Sequence, residues 1–288
     1  MDFRAIGMGL AFALMWSSAF TSARIIVTNA PPLTVSAGRF FIAGLVTLAI
    51  ARALGQSLRL SPAQWRLTIL FGICQNALYL GLNFVAMQTI EASLAAIIAS
   101  SLPLWVALVG WVVWRETLSP VAITGLLGGF AGVALIMGTR LNAGVDPIGV
   151  LLCGIGVLAL TFATLAVRGA SAGGNLLTVV GMQMLVGGVA LTVPAFTETW
   201  TFNWSWPLIL AVIYTIFVPG VIATIVWFQL VNRIGTVRAA TFHFLNPFLG
   251  VAVAALLLGE TLGTLDIVGV VIITISIFAV QTSRVAAT

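Results

Sequence analysis

Of the 288 residues, 61% are hydrophobic and only 7% charged, and the mean hydropathy is +1.18, which excludes a soluble globular domain and places the chain among polytopic membrane proteins. The formal net charge of +5 comes from arginines scattered singly along the chain, so no nucleic-acid partner is expected. Two cysteines, Cys74 and Cys153, are too few for a disulfide scaffold or a metal cage, and neither metal nor cofactor is expected.

A helix that crosses a bilayer needs about 20 mostly apolar residues. Ten such runs follow one another, at 6–27, 33–53, 66–88, 92–113, 119–138, 147–168, 175–196, 206–231, 237–258 and 264–281. The expected fold is therefore all-α and polytopic. Long unbroken apolar runs argue against a transmembrane β-barrel, whose strands alternate. The first run is too long for a signal-peptide core and lacks a small-residue cleavage site, so it is kept as span one. The connections leave no room for an ATPase or receptor domain.

Along the chain, polar residues interrupt these runs at similar depth. Span one carries Trp16 and Ser17 within "LMWSSAF". Span two carries Arg39, roughly 9 Å below its outer edge, where a long side chain reaches the interface; we read it as snorkelling rather than as a partner for a substrate carboxylate. Span three places Asn76, Tyr79 and Asn83 at i, i+3 and i+7, on one helical face. Span four adds Ser93, Ser100 and Pro103 on a face otherwise made of alanine. "GLLGGFAG" in span five is a close-packing surface for a neighbouring helix. Span six offers Thr161 and Thr164, and span eight Gly220, Thr224 and Trp227. Span nine carries the only histidine, His243, with Asn246, Pro247 and Gly250.

Each polar residue alone reads equally well as interhelical glue. Convergent from spans one, three, four, six, eight and nine, the set predicts one central cavity, because lipid cannot satisfy such groups. The expected substrate-binding residues are Trp16, Ser17, Asn76, Tyr79, Asn83, Ser100, Thr161, Trp227, His243 and Asn246. All seven acids, Asp2, Glu91, Glu116, Asp146, Glu198, Glu260 and Asp266, fall at span ends or in connections. That predicts a neutral, aromatic cavity for a neutral or zwitterionic metabolite, with His243 a hydrogen-bonded structural residue or a proton relay. Glu116 and Glu260 each precede the next span, where a carboxylate offsets the positive end of that helix.

The chain also resembles itself at a shift of 144 residues, half its length. Pro103 meets Pro247, Glu116-Thr117-Leu118 meets Glu260-Thr261-Leu262, Leu33-Thr34-Val35 meets Leu177-Thr178-Val179, and Arg24 meets Arg168. Five spans per half is an odd number, so the halves 1–144 and 145–288 insert with opposite orientation, as an inverted repeat around a central cavity. Both prolines lie near mid-membrane, roughly 15 Å into their spans. They read either as packing kinks or as hinges that gate the cavity. Arg4, Arg52, Arg59, Arg66, Arg115, Arg168, Arg233, Arg238 and Arg284 fall on the side of the two termini, and only Arg24 and Arg140 on the other. Both termini are therefore expected in the cytoplasm.

Ten spans in two halves, "LMWSSAF" in span one, and a proline followed by a terminal Glu-Thr-Leu in both halves resemble the drug/metabolite transporter (DMT) superfamily, EamA type. Within it the chain is most similar to YddG-type aromatic amino-acid exporters of bacterial inner membranes. "WRETL" departs from the usual Leu-Gly-Glu, and span one lacks the common Trp-Gly. The resemblance implies a monomeric secondary transporter that exports small amphipathic metabolites, amino acids among them, by alternating access without ATP. The alternative class, an intramembrane enzyme acting on lipid or peptide, would need a catalytic pair or a metal motif such as HExxH, which the sequence lacks.

Overall fold

The computed structural model describes residues 2–115, 117–166, 174–234, 239 and 241–286. Glu116, Arg168 and Arg238, used above for the repeat and the orientation, lie outside the described residues. In chain order the helices are α1 (Phe3–Val27), α2 (Pro32–Ala53), α3 (Pro62–Ala86), α4 (Ala92–Val113) and α5 (Pro120–Asn142). They continue with α6 (Pro147–Ala166), α7 (Leu176–Ala195), α8 (Trp206–Val231), α9 (Asn246–Leu258) and α10 (Thr264–Ala286). By length and composition α1 to α8 can each cross a bilayer, while α9 and the stretch Thr264–Val280 of α10 are shorter apolar helices. Among the described residues no strand occurs.

The helix starts follow from local chemistry. Proline stands in the first turn of α2, α3 and α5, where its missing N–H costs nothing. Ser61 and Gln64 form a reciprocal capping box at α3, and Ser119 and Ser205 cap α5 and α8. Other starts are capped from the far half of the chain. The Glu198 carboxylate accepts the Leu33 and Thr34 N–H groups of α2, both at 2.8 Å. Glu260 accepts the Ala92 and Ser93 N–H groups of α4 at 2.8 and 2.9 Å. Gln56 Oε1 accepts the Leu177 N–H of α7 at 2.9 Å. The expectation that Glu260 serves its own following helix is thus corrected: Asp266 does that, accepting the Gly263 N–H at 2.9 Å, while Glu260 ties the halves together. Arg140 adds a further tie, bridging Glu91 at 2.8 Å and Asp266 at 2.9 Å.

Helices matched by the 144-residue shift pack on each other: α2 on α7, α5 on α10, and the first half of α4 on α9. Glycines set the distance. A Cβ on Gly44 would lie 3.0 Å from the Gly181 carbonyl oxygen, and one on Gly181 3.1 Å from that of Gly44. Shifting both residues by 144 in opposite senses gives Gly188 and Ala37, and a Cβ on Gly188 would likewise lie 3.3 Å from the Ala37 carbonyl oxygen. In α5 and α10, a Cβ on Gly132 or Gly269 would lie 3.1 Å from the other's carbonyl oxygen, and at the counterpart position one on Gly125 would lie 3.0 Å from that of Ser276. The small-residue face of α5 is therefore spent on internal packing, as expected.

Candidate functional site

Two helices change pitch where they pass the middle of the bundle. α3 is π-helical over Gly72–Leu80 and α8 over Ile216–Ile222, segments that begin 144 residues apart. In α8 the cause is Pro219, which cannot donate to the ladder. Such bulges recur at functional sites because they turn side chains and loosen backbone bonds locally. Here they bring Gln75, Asn76 and Leu80 to a cavity, together with their shifted counterparts Pro219, Gly220 and Thr224.

The cavity holds about 660 Å³ of non-atom space, counting the part open to the surroundings. α1 contributes Trp16, Ala19, Phe20 and Ala23, and α2 contributes Arg39 and Phe40. α3 adds Tyr79, Asn83, Phe84 and Met87, and α7 and α8 add Met184 and Thr215. Of the sequence-derived candidates, the structure brings together Trp16, Asn76, Tyr79 and Asn83 in this wall. The asparagine amides are held in place: Asn76 Nδ2 donates to the Gln183 carbonyl at 2.8 Å, and Asn83 Nδ2 to the Tyr79 carbonyl at 2.7 Å. Cys153 Sγ donates to Asn83 Oδ1 at 3.3 Å.

Four other candidates form an adjoining cluster that does not line the cavity. His243 sits in a short 3-10 turn, Thr241–Leu245, with its Nδ1 2.9 Å from Asn246 Nδ2. Its ring meets Phe12 and Trp227 edge to face, with centroids at 5.3 and 5.1 Å. Phe12 also lies 4.7 Å from Trp227 and 5.7 Å from Trp16, which joins cluster and cavity. Ser17 donates to Asn246 at 3.4 Å. Ser100 and Thr161 stand apart, their hydroxyls donating to the Ala96 and Val157 carbonyls of their own helices at 2.6 and 2.8 Å.

Both prolines, expected as packing kinks or hinges, stand at breaks in their helices. α4 breaks at Ser101 and restarts with Leu102–Trp114, and Pro103 occupies its first turn. Pro247 likewise stands in the first turn of α9, after the 3-10 turn. Leu102 and Asn246, the two restart points, are 144 residues apart. Each proline therefore begins a new helical segment at a break instead of bending a continuous one.

Arg39 overturns the snorkelling reading. It is only 7% exposed, and its guanidinium carbon lies 4.0 Å from the Phe40 ring centroid and 4.5 Å from that of Phe84. The cavity is thus cationic, not neutral. Phe84 comes from α3, so only the folded chain shows where the arginine is held; its presence as a charge within an apolar span was the available signal. Phe20, Gln75, Met184 and Thr215 were also missed, being indistinguishable in sequence from packing residues.

A helical membrane bundle with a cavity among α1, α2, α3, α7 and α8 defines the class of protein. The EamA-like transporter family model matches residues 3–138 and again 147–282, and the chain belongs to that family. It is 25% identical to "Uncharacterized transporter YvbV" of Bacillus subtilis over 96% of this chain and 92% of that one. It is 28% identical to "Uncharacterized inner membrane transporter YedA" of Escherichia coli K12 over 90% and 85%. Over a shorter stretch, 27% of each chain, it is 37% identical to "Probable amino-acid metabolite efflux pump" of Salmonella typhimurium. A solved crystal structure with 21% sequence identity covers all of both chains with a TM-score of 0.70, a likeness of fold. The chain is a multi-pass membrane protein of a family of transporters.

Proposed function

We propose that the protein is a secondary transporter that exports small amphipathic metabolites, aromatic amino acids or related compounds among them, by alternating access without ATP. The observation that carries this reading is the cavity lined by Trp16, Phe20, Tyr79 and Phe84 with Asn76 and Asn83, amphipathic in the same sense as its cargo. Stacking of ring on ring contributes about 0.5–1.5 kcal/mol beyond burial, enough to bias selection without making one cargo exclusive. The reading places two inverted five-helix repeats, 1–144 and 145–288, about an in-plane axis through the cavity. The paired contacts of α2 with α7 and α5 with α10, and the matched π segments, support it. Arginine bias supports cytoplasmic termini, and the reading takes the protein as a monomer in a bacterial inner membrane.

Coupling to protons is not required in this mechanism. Among the described residues the cavity wall carries no carboxylate, and His243 is engaged by Asn246 and two rings. Proteoliposomes loaded with radiolabelled phenylalanine, tryptophan or phenylacetate should release cargo down its gradient through the protein when no pH gradient is present. Efflux that stops when a proton gradient is collapsed would sink the uncoupled mechanism, and no efflux of any aromatic cargo would sink the proposed substrate range.

A further inference from the structure

Arg39 is a charge in search of an acceptor. Its Nε and Nη2 are buried and have no hydrogen-bond partner among the described residues. The Phe40 and Phe84 rings offset its charge, yet a π face supplies none of the in-plane acceptors that five N–H donors require. Among the described residues no Asp or Glu lines the cavity with it. A buried cation left in this condition is costly unless something neutralises it.

The geometry points to Arg39 as the anion-recognition group of the cavity, and to a cargo that is a monocarboxylate on an aromatic body. A carboxylate matches the guanidinium fork with two parallel hydrogen bonds, and such pairs are strong because the donor is charged. One cation among apolar walls neutralises one negative charge; a phosphate dianion would leave its second charge buried and unmatched. The aromatic body would lie among Trp16, Phe20, Tyr79 and Phe84. The same carboxylate occurs in amino acids and in plain aromatic acids. With no acid among the described wall residues to meet an ammonium group, the plain acid fits better. This inference rests on the transport reading for movement of the cargo but not for its binding.

The test uses the full-length protein with three matched probes: phenylacetate, its neutral amide phenylacetamide, and the zwitterion phenylglycine. Binding is measured by thermal shift and calorimetry in detergent, and flux in proteoliposomes. Phenylacetate should bind about 10-fold or more tightly than phenylacetamide, with phenylglycine between them. Arg39→Met should bring the acid and amide affinities together, and Arg39→Lys should keep part of the preference. Equal wild-type affinities for acid and amide would overturn the inference, and this comparison needs no variant to fold. So would a folded Arg39→Met that keeps the preference, tightest binding of phenylglycine, or no binding of any probe. Arg39-dependent binding of phenylacetate without flux would uphold the inference and sink transport of this cargo class. Flux with no preference for the acid would do the reverse.

Discussion

At Gly187 the lack of a side chain lets α7 reach the cavity wall. A Cβ there would stand 2.2 Å from the Asn76 Cβ, so any larger residue must push Asn76 or the helix aside. Gly187→Ala should therefore lower stability by about 1–3 kcal/mol, the range for overpacking a tight site, and weaken aromatic cargo binding. Thermal unfolding in detergent checks this against Gly154→Ala, where a Cβ meets nothing within 4 Å and little change is expected. Residue by residue, the sequence was most informative where a polar side chain broke an apolar run. Asn76, Tyr79 and Asn83 could be placed on one face before any fold was known, and they do share a wall. Arg39 was misjudged because depth alone is compatible with snorkelling. What holds it is Phe84, supplied by another helix.

Among elements, the helix breaks are the features most open to motion. The prolines were legible because few residues interrupt a helix so reliably. The π segments were not, since an apolar run reads alike at either pitch. Nor was the partner of Glu260, which lies 168 residues away at Ala92. As first-turn residues of restarted helices, Pro103 and Pro247 fix where α4 and α9 divide. Their replacement by alanine favours a continuous helix by up to about 3 kcal/mol locally and so removes a joint. Pro103→Ala and Pro247→Ala should each express and fold, yet transport several-fold more slowly in proteoliposomes. Unchanged rates in both would reduce the breaks to packing details.

For the whole molecule, pairing of matched helices is the organising theme; the 144-residue shift that matches them was legible from sequence alone. Which helices touch was not legible, because apolar surfaces in lipid gain no contrast from burial and small residues decide the approach. The positive charge that Arg39 brings to the cavity also has an electrical consequence. A monocarboxylate seated on Arg39 leaves the site neutral, but its net passage outward carries one negative charge across the membrane. An inside-negative potential then drives that passage by about 2.3 kcal/mol per 100 mV, enough to sustain roughly a 50-fold outward ratio. In proteoliposomes, a valinomycin-clamped potassium potential of about 100 mV, inside negative, should expel phenylacetate toward that ratio. Setting the potential to zero should leave the concentrations equal. The resting voltage of a cell membrane would in that case be the motive force, with neither nucleotide nor proton spent on the cargo.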